Sequence, residues 1–174
     1  HSFQEKLSNL DDQTSKIAKL RLELSAAKEE YVSNAKQLSS SRKIAAKKLD
    51  QQVMQQLPVL KLETSEFKTN IQLLEESKWN VMGIDKVRFE ARTNPGQLIG
   101  AIDKIASGGE LARFLLALKV VLSEGYPDKC LIFDEVDSGV GGAVADAVGT
   151  RLSKLAKTIQ TLVVTHSPQV ASKG

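Results

Sequence analysis

Cys130 to Gly142 reads C-L-I-F-D-E-V-D-S-G-V-G-G, and this stretch decides the fold. Four apolar residues, Cys130, Leu131, Ile132 and Phe133, run directly into two carboxylates, Asp134 and Glu135. A short continuous apolar run suits a strand buried on both faces, as in a parallel sheet. Residues at the carboxyl end of such a strand face the crevice in which α/β sheets bind ligands. Two adjacent acids there divide two jobs in metal-assisted phosphate chemistry: one holds a hydrated Mg²⁺ and the other orients or deprotonates a water. By itself the stretch reads equally well as a strand end followed by an acidic turn, so its neighbours have to decide.

Downstream, Gly139, Gly141 and Gly142 make a flexible loop that leads into a helix from about Ala143 to Ala156. Asp137, at the start of that loop, is also a ready turn former. Thr161-Leu162-Val163-Val164-Thr165 then reads as a second buried strand ending at His166. A lone His after a strand is usually structural. Here a helix connects the two strands, and the crossover rule puts both strand ends on one edge of the sheet, so His166 falls beside Asp134 and Glu135.

Upstream, Ser107-Gly108-Gly109-Glu110 precedes an apolar helix with Leu111, Leu115, Leu118 and Leu122 on one face, widened by Phe114 and Val121. The helix is expected to end near Ser123, with Gly125 as its C-terminal glycine. Ser107 and Glu110 have the spacing of a capping box, which explains both without a ligand. It does not explain Gly108 and Gly109, which weaken a helix start unless something approaches the backbone closely. Bare amides at a helix N-terminus make an anion site, so the functional reading is a phosphate contact through Ser107, Gly108 and Gly109. Before this helix, Val59 to Ile71 reads as one strand or two short ones, Val87 to Ala91 as an alternating strand, and Thr93-Asn94-Pro95-Gly96 as a turn. These strands are expected to form an antiparallel part of the sheet.

The first third reads as a rod. An apolar position returns every seventh residue at Phe3, Leu10, Ile17, Leu24, Tyr31, Leu38 and Ala45, with a mixed second seam at Leu7, Thr14, Arg21, Lys28, Ala35, Arg42 and Leu49. Neither Gly nor Pro occurs before Pro58. This is a heptad pattern long enough for a coiled coil, with a stutter at Leu49, Val53 and Leu57. At 1.5 Å per residue the helix is ~80 Å long. Unless it is a single amphipathic helix packed on a globular body, it needs a partner helix, either a second copy or an antiparallel stretch of the same parent chain; Arg21, Lys28 and Arg42 blunt self-pairing. Pro58 ends it. The domain reading is therefore a coiled-coil helix over 1–57 and an α/β lobe over 58–174.

Composition sets outer bounds. Among 174 residues only 5% are aromatic while 26% are charged, which fits a chain that spends part of its length on extended helix. The net charge of +3 permits contact with nucleic acid without arguing for it. Lys47, Lys48, Arg42 and Lys43 read as a solvated helix face rather than a phosphate-binding patch. Cys130 is the only cysteine, which excludes an internal disulfide and leads us to expect a buried, inert thiol in a reducing compartment. No apolar run approaches the ~20 residues needed to span a bilayer, so no membrane partner is expected. A start at His1 without Met and a stop at Gly174 just after a strand lead us to expect a fragment of a larger protein.

In this order the pieces resemble the C-terminal half of an ABC-type ATPase head, and the preceding rod narrows the likeness to the SMC-like branch. A-S-G-G-E-L-A-R at 106–113, A-L-K-V-V-L at 117–122, I-F-D-E-V-D-S-G-V-G-G at 132–142 and V-T-H-S-P-Q-V-A at 164–171 are similar to the RecN family of bacterial DNA-repair proteins, as is T-N-P-G at 93–96. The resemblance implies a mixed α/β head behind a coiled coil, with ATP and Mg²⁺ as its ligands. It implies roles too. Ser107, Gly108, Gly109 and Glu110 are the signature, contacting the γ-phosphate of ATP held by a second head. Asp134 ends the Walker B strand and holds Mg²⁺ through water. Glu135 polarises the attacking water, Asp137 of the D-loop sits across the head–head interface, and His166 contacts the γ-phosphate. Heads dimerise on ATP and separate on hydrolysis. The family acts on DNA in double-strand break repair and recombination, in the bacterial cytoplasm at the nucleoid.

One departure matters. The P-loop pattern G-x-x-x-x-G-K-[ST] is absent, and no Gly-Lys pair occurs. In the family that loop lies before the coiled coil, so the expected partner is an N-terminal Walker A lobe of the same parent chain, and these residues alone are expected to be inactive as an ATPase. Two rival readings are an ABC transporter ATPase subunit and a structural coiled-coil module with an inert head. The rod disfavours the first; the presence together of Asp134, Glu135, Asp137 and His166 disfavours the second.

Overall fold

The structure, a computed structural model, describes residues 2–105, 107–123, 130–134, 136–137 and 140–174, with side chains from residue 13 onward. The element order is α1 (Ser2–Gln56), β1 (Glu66–Leu73), β2 (Asp85–Arg92), β3 (Gly100–Ala101), α2 (Gly108–Ser123), β4 (Cys130–Asp134), α3 (Gly142–Ala156), β5 (Gln160–Val164) and α4 (Pro168–Ala171). Helix and sheet are mixed behind one long N-terminal helix, as expected. The chain forms two compact units: residues 1–42 with 73–85, and residues 43–72 with 86–174. The division falls inside α1, after residue 42.

In the first unit, the segment between β1 and β2 docks on α1. The Tyr31 and Trp79 rings meet with centroids 5.8 Å apart. The Tyr31 hydroxyl donates to the Asn80 carbonyl at 2.9 Å, and Lys28 pairs with Glu76. Gly83 turns the segment at φ 101°, a backbone conformation that glycine adopts without a Cβ penalty. The Arg42 guanidinium then donates to the Met82 carbonyl at 2.8 Å and pairs with Asp85 at 3.3 Å, while the Ser39 hydroxyl donates to Asp85 at 2.9 Å.

The second unit holds the apolar core. Val53 and Leu57 from α1, Leu60 and Leu62 after it, Phe67 of β1, Phe114 and Leu116 of α2, Phe133 of β4 and Val148 and Leu152 of α3 form one buried cluster. Pro58 ends α1 as expected, but a 3₁₀ turn over Pro58–Leu60 and a left-handed Lys61 at φ 58° follow, so the strand begins only at Glu66. The expected strand over Val59–Ile71 is thus corrected to Glu66–Leu73. Leu60 and Leu62 are buried as part of the turn, which mimics alternation. The 72–80 stretch, ambiguous in sequence, contains a 3₁₀ turn at Glu76–Lys78.

Two further expectations change. The early strands do not extend the sheet of β4: β1, β2 and β3 form their own sheet in that order, with β2 and β3 antiparallel, and β4 and β5 form a second sheet. On α1, Ile17, Leu24 and Leu38 of the apolar seam are exposed, while the closed stripe is Ala35, Ser39, Ala46 and Val53, with Arg42 and Leu49 partly buried between them. Small residues at 35, 39 and 46 let other chain approach the helix backbone.

Candidate functional site

β4 and β5 run parallel in the register Cys130↔Gln160 through Asp134↔Val164. α3 connects them, which delivers the crossover expected from the sequence. Asp134, the last residue of β4, lies opposite the last residue of β5, and His166 follows two residues later. Both side chains are exposed at that sheet edge. Glu135, Ser138 and Gly139 lie outside the described residues, as does the expected helix-ending Gly125.

Asp137 behaves differently from its neighbours. It is buried, at 8% exposure. The Thr165 hydroxyl donates to its Oδ2 at 2.5 Å, and the Ser167 backbone N–H donates to the Thr165 hydroxyl oxygen at 2.9 Å. The Asp137 carbonyl accepts from the Val140 N–H at 3.2 Å. The turn after β4 and the turn after β5 are therefore tied together next to Asp134 and His166 in the chain. Asp137 and His166 were legible as candidates; Thr165 was visible only as the last residue of a strand.

Ser107, Gly108, Gly109 and Glu110 form a separate group at the start of α2. The Glu110 N–H donates to the Ser107 hydroxyl oxygen at 3.4 Å and the Leu111 N–H to the Ser107 carbonyl at 3.0 Å, so Ser107 caps the helix as its spacing predicts. Ser107 and Gly108 are exposed. A Cβ on Gly108 would meet nothing within 4 Å, so no contact within the described chain calls for glycine there. One turn further, Arg113 is buried and its Nε has no acceptor among the described residues. Burial pushes the Arg113 guanidinium below its ordinary pKa, and the nearby charge of Glu110 works against that shift. Sequence reasoning did not single out Arg113, because an Arg in a helix is normally a surface residue.

The strand residues report a half-covered sheet. Phe133 is fully buried among Phe114, Leu116 and Val148, but Ile132, Leu162 and Val164 on the alternate positions are 53–61% exposed. The expectation of a strand buried on both faces is met on one face only. Composition announces that a strand will be covered, without saying which chain segment covers it. The expectation of a buried Cys130 is also corrected: it is an exposed free thiol, since it begins the strand instead of sitting in its middle. On the remaining side, Lys119 of α2 donates to the Ile132 carbonyl at 3.3 Å and lies 4.9 Å over the Phe133 ring.

Among the described residues, no group of three or more His, Cys, Asp and Glu side chains gathers to hold a metal. No helix among them is long and apolar enough to cross a membrane.

Comparison with known proteins agrees with this geometry. No family model matches the chain. The DNA repair protein RecN of Rickettsia bellii is 44% identical over 175 residues, covering 99% of this chain and 32% of that protein. RecN of Bacillus subtilis is 34% identical over 183 residues, covering 98% of this chain and 32% of that protein. The chain thus spans about a third of the length of the relatives it matches. In three dimensions it resembles the Smc head domain with a coiled coil and joint from Pyrococcus yayanosii, at TM-score 0.59 and 19% identity over 77% of this chain and 24% of that one. It also resembles an SMC ATPase studied for ATP-driven dimerization and DNA-stimulated activation, at TM-score 0.54 and 18% identity over 78% of each chain. The likeness to RecN carried by the motifs therefore extends across nearly the whole chain, and the fold is that of SMC ATPase heads.

Proposed function

We propose that this chain is the C-terminal half of the ATPase head, with its adjoining coiled-coil helix, of a RecN-like protein that uses ATP in the repair and recombination of bacterial DNA. The observation that carries the reading is the Asp134↔Val164 register, which sets an exposed carboxylate and the His166 imidazole at one edge of a parallel sheet. That is where α/β folds bind phosphate ligands. The relatives named as DNA repair proteins support the biological setting.

The residues present fit an Mg²⁺ carried in with nucleotide. Mg²⁺ keeps several waters and takes one or two protein carboxylates plus phosphate oxygens, so the exposed Asp134 suffices without a ligand cage. When bound, the ion supplies neutralisation of phosphate charge. Around it, Glu135 orients the attacking water and His166 contacts the γ-phosphate. The capped, exposed start of α2 at Ser107, Gly108 and Gly109 offers free amides to the γ-phosphate of ATP on a second head, and Glu110 completes that signature. Gly108 supports this role because the space beside it is open. The missing P-loop comes from an N-terminal Walker A lobe of the same parent, and that lobe covers Ile132, Leu162 and Val164. ATP then joins two heads and hydrolysis separates them, with DNA as the substrate held by the assembly.

The test is a titration of Mg-ATP onto these 174 residues with and without the parent's N-terminal piece. Tight binding only in the mixture is expected. Tight binding by this chain alone would sink the split-head reading, and no binding in either case would favour an inert structural module.

A further inference from the structure

Asp137, Thr165 and the Ser167 amide form a continuous chain of hydrogen bonds just past the ends of β4 and β5. Asp137 is buried, and Thr165 is half-buried. The two residues belong to different turns, one after β4 and one after β5. The Thr165 hydroxyl has one proton, which it gives to Asp137 Oδ2 at 2.5 Å, and its oxygen accepts from the Ser167 N–H at 2.9 Å. Both roles are filled at once, so neither turn can shift without breaking a bond to the other. His166 lies between the two residues whose atoms close this bridge.

We propose that Thr165 is a positioning residue of the hydrolytic site: its hydroxyl locks the turn bearing His166 to the turn bearing Asp137, so that the two follow one another as nucleotide is hydrolysed. This rests on the ATPase reading above. The alternative of a hydroxyl that merely fills a polar gap is poorer, because a half-buried Thr at a strand end has solvent within reach and no need of two protein partners. A valine is nearly the same shape but lacks both hydrogen-bonding functions. A serine keeps both.

The test uses the full-length protein that carries this chain. Thr165→Val, Thr165→Ser and Asp137→Ala are compared for ATP turnover, and Ser167 amide exchange is followed by mass spectrometry in the same proteins. The expected result for Thr165→Val is a kcat lower by about tenfold to a hundredfold with nucleotide affinity nearly unchanged, since misplacement of a reacting group acts on the chemical step. Thr165→Ser restores most of the rate, and combining Thr165→Val with Asp137→Ala adds little beyond the larger single effect. Turnover in Thr165→Val equal to wild type overturns the inference, and so does an equal loss in Thr165→Ser or a parallel loss of nucleotide affinity. An inactive wild type overturns the ATPase reading and this inference with it, whereas an active wild type with an indifferent Thr165 overturns this inference alone.

Discussion

The Asp50 carboxylate near the end of α1 accepts a hydrogen bond from the Thr69 backbone N–H of β1 at 2.8 Å. β1 is an edge strand of its three-stranded sheet, and unpaired edge amides invite association with other chains. Asp50 satisfies one of them and anchors the long helix to the sheet. Asp50→Ala is expected to lower stability by about 1–3 kcal/mol, the cost of leaving a buried donor without a partner. Asp50→Asn, which keeps the acceptor oxygen, is expected to recover most of it. Urea denaturation of the three proteins checks this; equal midpoints would show that the contact contributes nothing.

The segment 73–85 is held on α1 through Asp85, whose carboxylate takes both Arg42 and Ser39. Its side chain is only 2% exposed, so removing either charge strands the other in a poorly solvated place. Asp85→Ala is expected to cost about 3 kcal/mol locally, read as faster amide exchange confined to residues 73–85 while β4 and β5 exchange as before. Exchange that rises everywhere would mean that the segment is part of the global fold.

Gly108 separates folding from function. A side chain there meets nothing within 4 Å, and alanine favours helix over glycine by about 1 kcal/mol. Gly108→Leu is therefore expected to leave stability unchanged or slightly higher while abolishing ATP-dependent association of full-length heads. Sedimentation in Mg-ATP measures the association and thermal melting the stability. Retained association would remove the phosphate role assigned to this helix start.

Gly149 makes the opposite case. A Cβ at that position of α3 would come within 3.0 Å of the Val170 Cα on α4. Backbone cannot give way as a flexible side chain can, so Gly149→Ala is expected to push α4 outward and cost about 1–3 kcal/mol. Because α4 begins two residues after His166, the same change is expected to slow ATP turnover in the full-length protein. A melting temperature equal to wild type would show that α4 is free to move.

The open face of β4 and β5 gives a fifth test. Replacing Ile132, Leu162 and Val164 by Thr is expected to leave the buried face around Phe133 intact and to prevent assembly with the parent's N-terminal piece. Co-purification of the two pieces reads the outcome. Assembly that survives all three replacements would place the missing lobe elsewhere.

The legible parts of this molecule are those in which one local pattern admits one solution. The apolar run before Asp134, the helix over 142–156 and the strand before His166 read as two parallel strands joined by a helix, and the placing of Asp134 and His166 at one sheet edge followed from it. The Ser107 cap was legible from spacing alone. What stayed hidden depends on contacts between distant residues. Leu60 and Leu62 alternate like a strand but lie in a turn, because left-handed Lys61 redirects the chain. Thr165 became a candidate only when its hydroxyl met a carboxylate 28 positions earlier. Arg113 was buried by tertiary packing that a helical pattern does not register.

On α1 the stripe that is closed, through Ala35, Ser39, Ala46 and Val53, is not the stripe that carries Ile17, Leu24 and Leu38 into solvent. A second helix can therefore be added along the part of the open stripe before Tyr31, at Ile17 and Leu24, without evicting anything from the closed one. Substitutions on the closed stripe fall on whether the chain folds, and those on the open stripe fall on what it joins. A lineage of such chains is free to exchange its coiled-coil partner while inheriting its architecture unchanged.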